Sequence, residues 1–131
     1  MEIYKLEMTT KELLDLLSKY YTNLLNKPIT VKETHRIVYG DYYECDSVAV
    51  DIYFEETIEL LGVTGTKTTK LTKNDIEEVL NELLKERGYR ISYLRYKTEI
   101  NSGDYSSLKN TVFSGIEVEL KEIQKELKKK M

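Results

Sequence analysis

The order of predicted elements repeats once along the chain, and this repetition constrains the fold more than any single motif. Around residues 9–54, and again around residues 71–121, a helix is followed by two strand-like runs. A Gly-Asp-Tyr turn separates the two strands at the matching place, residues 40–42 and 103–105. Two copies are too few for a solenoid, which needs about three repeats. The repetition therefore predicts one domain, residues 1–131, with two pseudo-symmetric halves.

Both predicted helices follow a threonine cap and carry a leucine-rich stripe. The first is expected over residues 10–25, because Thr9 and Glu12 have the spacing of a capping box. The second is expected over residues 73–87, where Gly88 occupies the position of a left-handed C-terminal residue. In each helix the apolar residues recur at helical spacing, which predicts one buried face.

Residues 48–60 carry the clearest strand pattern in the sequence. Apolar residues recur at every second position, which predicts a long strand with one buried and one solvated face. Glu56 interrupts the apolar positions, and either a bulge near residues 55–56 that divides the strand or an edge position would explain it. The solvated face is predicted to present five residues: Asp51, Tyr53, Glu55, Thr57 and Glu59.

Other strand-like runs complete the predicted architecture. They occupy residues 29–38, 66–70, 89–100 and 112–120, and a short leading strand is expected within residues 1–8. Helical spacing after residue 120 predicts a short C-terminal helix. The predicted class is α+β: a mainly antiparallel sheet of about five strands, with two helices covering one face and the other face partly solvated.

Composition favours a soluble globular protein with ordinary proportions of apolar and charged residues. The chain has 131 residues, of which 40% are hydrophobic and 33% are charged. Its apolar runs all fall short of the roughly 18 residues that a membrane span requires, so we expect no membrane partner. Cys45 is the single cysteine, which excludes an internal disulfide and favours a cytoplasmic location.

The sequence lacks a recognisable catalytic or metal-binding motif. His35 is the only histidine, which excludes a site built from two histidines. Acidic neighbours at positions 44 and 46 disfavour a reactive thiolate at Cys45. The carboxylates of residues 41–51 do not follow the spacing of a calcium loop. We therefore expect a protein without enzymatic activity, metal or cofactor.

Charge and tyrosine content point to an interaction surface in the first half. Residues 1–66 carry a net charge of −6, whereas residues 67–131 carry +3. The chain has 11 tyrosines and no tryptophan, and tyrosine is enriched at protein interfaces. An acidic, tyrosine-rich surface is the predicted partner-binding site, formed by Asp41, Tyr42, Tyr43, Glu44, Asp51, Tyr53 and Glu55.

A basic and aromatic strand supplies an alternative hypothesis. Arg90, Tyr93, Arg95 and Lys97 alternate cations with an aromatic ring within one predicted strand. Sheets bind single-stranded nucleic acid by stacking bases on aromatic rings and pairing phosphates with cations. An RNA-binding signature is absent from the sequence, so nucleic acid is the second choice of partner.

The chain resembles small accessory proteins of phages and integrated elements of Gram-positive bacteria. The resemblance is carried by residues 72–80 leading into residues 85–89, by the closing residues 113–118, and by the short chain rich in Lys, Glu, Ile and Tyr. Such proteins include anti-CRISPR proteins and other inhibitors of host defence nucleases, which act by occupying a surface. The resemblance therefore implies a non-enzymatic inhibitor that binds a host protein.

An exposed sheet edge in a pseudo-symmetric fold also allows a homodimer.

Overall fold

A computed structural model describes residues 2–38, 47–100 and 111–123, which form six strands and two helices. In chain order these elements are β1 (Tyr4–Thr9), α1 (Thr10–Leu25), β2 (Lys32–Val38), β3 (Ser47–Leu60), β4 (Val63–Leu71), α2 (Lys73–Lys85), β5 (Tyr89–Ile100) and β6 (Thr111–Glu122). The predicted turns at residues 40–42 and 103–105 and most of the predicted C-terminal helix lie outside the described residues.

The strands form two antiparallel sheets of three strands each. Sheet 1 has the order β1-β6-β5, and sheet 2 has the order β2-β3-β4. The α+β class is thus confirmed, but the prediction of about five strands in one sheet is wrong for the described residues. The strands divide into two sheets of three because β1 pairs with β6, which is distant in the sequence, and completes a sheet separate from β2, β3 and β4.

β3 pairs with a different strand along each half of its length, and the two pairings overlap by only two residues. Its first half pairs with β2 over residues 47–53, and its second half pairs with β4 over residues 52–60. Beyond residue 53 the strand therefore continues with β4 as a two-stranded ribbon. Leu61 and Gly62 close this ribbon with φ angles of 56° and 76°, the backbone of a two-residue type I′ turn.

Both helices begin as the sequence predicts. The Thr9 side chain accepts a hydrogen bond from the Glu12 amide, and the Glu12 carboxylate accepts one from the Thr9 amide. Thr72 and Asp75 exchange the equivalent pair at the start of α2. These reciprocal bonds satisfy backbone donors that the first helical turn leaves without partners. Gly88 has φ 85°, but α2 ends at Lys85 with Glu86 as its C-cap, two residues before the predicted end.

Of the two explanations for Glu56, the bulge near residues 55–56 is wrong, because β3 and β4 pair without a register shift. The edge position is confirmed, since beyond residue 53 β4 is the one partner of β3 among the described residues. Glu56 is tolerated on the apolar side of β3 by an ion pair with Lys27, which follows α1. Lys67 lies opposite Glu56 on β4 and adds a second positive charge. A charge at an apolar position therefore reflects a local partner, and the strand stays continuous.

One core joins the helices to the inner faces of both sheets. Helix α2 packs against β5 and α1 packs against β6 and β1, while the Tyr21 ring of α1 meets Phe54 of β3 with ring centroids 5.0 Å apart. The fully buried side chains are Leu13, Leu17, Ile52, Ile76, Leu94, Ile116 and Val118. The outer faces of the two sheets consequently remain open to solvent among the described residues.

Strand–helix–strand–strand is the order of elements in residues 4–60 and again in residues 63–122. Each sheet combines two neighbouring strands of one half with the first strand of the other half. The two helices pack differently, since both lie mainly against sheet 1. A pseudo-twofold relation between residues 9–54 and 71–121 stays a prediction.

Candidate functional site

The solvated face of β3 faces outward as its alternation predicts. Ile52 and Phe54 are only 1% and 2% exposed, so the residues between and beyond them point away from the core. Glu55, Thr57 and Glu59 are exposed, and Tyr53 is half-buried. This outer face of sheet 2 carries the part of the predicted partner-binding surface that lies within the described residues.

Tyr53 lies at the centre of this face with a lysine on each side. Residues directly opposite in an antiparallel pair share a face, and Tyr53 is opposite Lys32 on β2 and Lys70 on β4. Both lysines are exposed. The Tyr53 side chain therefore lies on one face between two exposed, positively charged side chains.

Carboxylates occupy the distal part of the same face. Glu55 and Glu59 lie opposite Thr68 and Thr64 on β4, so neither faces a cation directly across the strands. Nearer the core, Asp51 forms an ion pair with Arg36 of β2, with 3.4 Å between Nε and Oδ2. The face thus has an acidic distal end and a mixed-charge end around Tyr53.

The structure brings together three of the seven predicted partner-binding residues. Asp51, Tyr53 and Glu55 share the outer face of β3, whereas residues 41–44 lie outside the described residues. Sequence reasoning missed Lys32 and Lys70, because only the strand register places them beside Tyr53. The surface is correspondingly less acidic than the sequence of the first half suggests.

The alternative site lies on the outer face of sheet 1. Tyr93 and Arg95 lie opposite Glu119 and Glu117 of β6, and Lys97 lies opposite Gly115. Tyr93 is 52% exposed, and the Lys73 ammonium lies 5.5 Å from the centroid of its ring. Arg90 lies opposite Lys121, which shares the outer face of β6 with Glu117 and Glu119. All four predicted nucleic-acid-binding residues therefore lie on one face.

Carboxylates on that face compete for its cations. Arg95 donates to Glu117, whose other oxygen lies 3.4 Å from the Lys5 ammonium. The Arg95 hydrogen bond, followed by that of Lys5, lowers the pKa of Glu117. Lys97 pairs with Glu7 at 3.4 Å. Nucleic acid would have to displace these carboxylates, so the face is a weaker phosphate site than the sequence alone predicts.

Several tyrosines serve packing and hydrogen bonding within the domain. Tyr21 packs on Phe54, and Tyr96 meets Phe113 with ring centroids 5.5 Å apart. The Tyr20 hydroxyl donates to Glu82 across the two helices at 2.5 Å. That hydrogen bond, and to a lesser degree burial, raises the pKa of Tyr20 to about 12. The high tyrosine content is thus only partly available to a surface.

A groove of about 670 Å³ lies between the two helices. Its walls combine apolar side chains, among them Leu16, Leu24 and Leu83, with the carboxylates of Glu82 and Glu86. Glu82 is engaged by the Tyr20 hydroxyl. Leu24 is 61% exposed at the rim, so the groove is wide and open.

His35 lies on β2 with Nδ1 3.7 Å from the Glu33 carboxylate. Within the described ranges, no group of three or more His, Cys, Asp or Glu side chains could hold a metal ion. Likewise, no helix in those ranges is long and apolar enough to cross a membrane. The expectation that the chain lacks enzymatic activity stays a prediction.

Comparison with protein-family models, with curated proteins and with solved structures finds no match to this chain.

Proposed function

We propose that this chain is a non-enzymatic protein-binding module that covers the surface of a partner protein with the outer face of sheet 2. Asp51, Tyr53 and Glu55 form the centre of the contact, and Glu59 extends it along the ribbon. The supporting observation is the position of Tyr53, a half-buried ring on an open sheet face between two exposed lysines.

Tyr53 supplies the kind of contact that dominates protein interfaces. An aromatic ring held by a strand loses little conformational freedom on binding and offers a large apolar area with one polar end. The surrounding charged residues can exclude water from the contact once a partner arrives. Most of the binding energy is therefore expected from Tyr53.

The distal carboxylates determine the class of partner. Glu55 and Glu59 lie on one face opposite threonines, so their charge is available to a basic surface. Complementary charge accelerates association and suppresses binding to acidic partners. Proteins that bind nucleic acid present such basic surfaces. This agrees with the partner that the sequence resemblance implies, a host defence nuclease blocked by a phage-encoded inhibitor of the anti-CRISPR kind.

The test begins by capturing a partner and then removes the proposed contacts. The tagged chain is incubated with nuclease-treated lysate of a Gram-positive bacterium, and a stoichiometric partner is purified and titrated against variants. Tyr53→Ala is expected to weaken binding at least about 30-fold. The double reversal Glu55→Lys, Glu59→Lys is expected to slow association about tenfold at low salt.

A matched control changes the net charge equally on another surface. Glu78→Lys in α2 with Glu86→Lys directly after it places the same charge change on exposed positions and should leave both affinity and association rate unchanged. If Tyr53→Ala and the β3 reversal both bind like the unmodified chain, the outer face of sheet 2 is not the site.

The second candidate function is binding of single-stranded nucleic acid by the outer face of sheet 1. The exposed ring of Tyr93, beside Arg95 and Lys97, favours it. Binding of an oligonucleotide should then fall steeply with salt and be lost in Tyr93→Ala. Affinity that is independent of salt would reject this candidate.

A further inference from the structure

We propose that two copies of this chain form a twofold-symmetric dimer by pairing their β4 strands edge to edge, with Thr66 opposite Thr66 of the second copy. β4 is an edge of sheet 2 and has its nine residues in an unbroken register with β3. Thr64, Thr66, Lys67, Thr68 and Lys70 are all exposed. The proposal does not depend on the function proposed above.

The turn of the ribbon determines which backbone groups point outward from β4. Leu60 and Val63 flank a two-residue type I′ turn and therefore form a hydrogen-bonded pair directed at each other. Backbone direction alternates along a strand, so the next residue, Thr64, points away from β3. By the same alternation Thr66 and Thr68 present their N–H and C=O groups at the open edge.

This edge has few of the features that normally prevent pairing. Natural edge strands are protected by being short, by proline, by bulges or by charged side chains. β4 is nine residues long, contains no proline and has no register shift against β3. β4 also carries two charged residues, Lys67 and Lys70. Thr64, Thr66 and Thr68, three of its outward-directed residues, are β-branched and uncharged, which favours strand pairing.

Twofold symmetry restricts the register to a few choices, and charge selects among them. In a symmetric antiparallel pair, one residue must lie opposite its own copy. Centring on Lys67 would bring two ammonium groups together, which is unfavourable. Centring on Thr66 places Thr64 opposite Thr68 and Gly65 opposite Lys67 of the second copy, so like charges do not face each other.

The Thr66-centred register also gives the longest favourable overlap. Residues 63–69 of each copy pair, and all three hydrogen-bonded pairs join threonine to threonine, a combination that stabilises cross-strand contacts. The turn residue Leu61, which is fully exposed in the single chain, comes level with Leu71 of the second copy. The result is one six-stranded sheet whose outer face carries Tyr53 twice.

Sedimentation velocity and light scattering over about 1 µM to about 1 mM test the association. At the highest concentrations, the measured mean mass is expected to approach twice the 15.4 kDa of one chain. Thr66→Lys brings two ammonium groups together at the twofold axis and should raise the dimer dissociation constant at least about tenfold. Thr57→Lys is the matched control, because Thr57 lies directly opposite Thr66 on the same face but on β3, away from the open edge of β4. It should dimerise like the unmodified chain.

Cysteine cross-linking tests the register independently of any loss of folding. In a Cys45→Ser background, Thr66→Cys should form an intermolecular disulfide under mild oxidation, since paired strands place opposite Cα atoms about 5.5 Å apart. Thr64→Cys and Thr68→Cys should each cross-link poorly alone but efficiently when mixed. The proposal is overturned by a monomer at the highest concentration, by a dimer equally insensitive to Thr66→Lys and Thr57→Lys, or by a dimer that Thr66→Cys does not cross-link.

Discussion

The backbone of Met8 in β1 lies so close to Gly115 in β6 that a Cβ atom at position 115 would come within 1.9 Å of the Met8 carbonyl oxygen. Gly115 has φ +134°, a conformation that side-chain-bearing residues rarely adopt. Gly115 directly follows a β-bulge in β6. Lys97 and Thr98 of β5 are paired with Gly115 and Phe113, which leaves Ser114 of β6 as the extra residue. Glycine thus allows a bulged central strand to stay paired with its neighbour.

We expect Gly115→Ala to be among the most destabilising small substitutions in the chain. The added methyl group would force β1 and β6 apart and impose an unfavourable φ, at a cost of about 3 kcal/mol or more. Urea unfolding followed by circular dichroism measures the loss. Gly65→Ala is the control, because its Cβ would lie 3.7 Å from Ile58 Cγ1, an ordinary contact. Equal stability of the two variants would contradict the close approach at Gly115.

Leu61→Asn should stabilise the β3–β4 ribbon. Leu61 adopts a left-handed backbone with φ 56°, which asparagine tolerates better than leucine. Its side chain is fully exposed, so the substitution removes no buried contact. The expected gain is roughly 0.5–1 kcal/mol in the local opening free energy. Amide hydrogen exchange of residues 57–67 measures it. Leu60→Asn, outside the left-handed turn positions, should bring no such gain; slower exchange in Leu60→Asn alone would contradict this reasoning.

Lys27→Met should raise the pKa of Glu56. The hydrogen bond from the Lys27 ammonium is the main cause that lowers this pKa below its ordinary value, and burial opposes it. A lowered carboxyl pKa adds stability above the unfolded value, and this stability is lost as pH falls through the folded value. The variant should therefore show less pH dependence in acid.

Carboxyl NMR titration reports the Glu56 pKa directly. Glu117 serves as the internal control in the same spectra, since its lowered pKa arises chiefly from Arg95 and then Lys5. A Glu56 pKa that stays low in Lys27→Met would show that Lys67 or another group holds the charge.

Glu82→Gln should lower the pKa of Tyr20 from about 12, because the hydrogen bond to the Glu82 carboxylate is its main cause. A raised tyrosine pKa favours the folded state at every pH below the unfolded value of about 10. That contribution disappears as pH rises from about 10 to about 12. Absorbance titration at alkaline pH should show one tyrosine ionising earlier in the variant. An unchanged titration curve would place the cause elsewhere.

Sequence reasoning succeeds where the signal is local. Thr9 and Glu12 lie three residues apart, so the capping box of α1 needs no tertiary information, and α1 begins and ends where predicted. The alternation around Ile52 and Phe54 likewise predicts the buried and solvated faces of β3, because side-chain direction in a strand depends only on parity.

Partnerships between distant segments could not be predicted in the same way. Tyr4 pairs with Leu120, and a strand pattern by itself does not specify a partner over 100 residues away. The sequence could not decide between a bulge and an edge position at Glu56 for a related reason, since the charge of Glu56 is neutralised by Lys27 from outside the strand. The candidate site shows the same limit, because the lysines beside Tyr53 enter only through the register.

The pairing of β1 with β6 has a consequence for the order of events during protein synthesis. Sheet 2 closes within residues 32–71, so its ribbon can form soon after it leaves the ribosome. Sheet 1 can form only after β6 has been synthesised, because β6 lies between β1 and β5 and is also the strand against which α1 packs. Until β6 follows, Leu13 and Leu17 face water, and the nascent chain exposes apolar surface of the kind that chaperones bind.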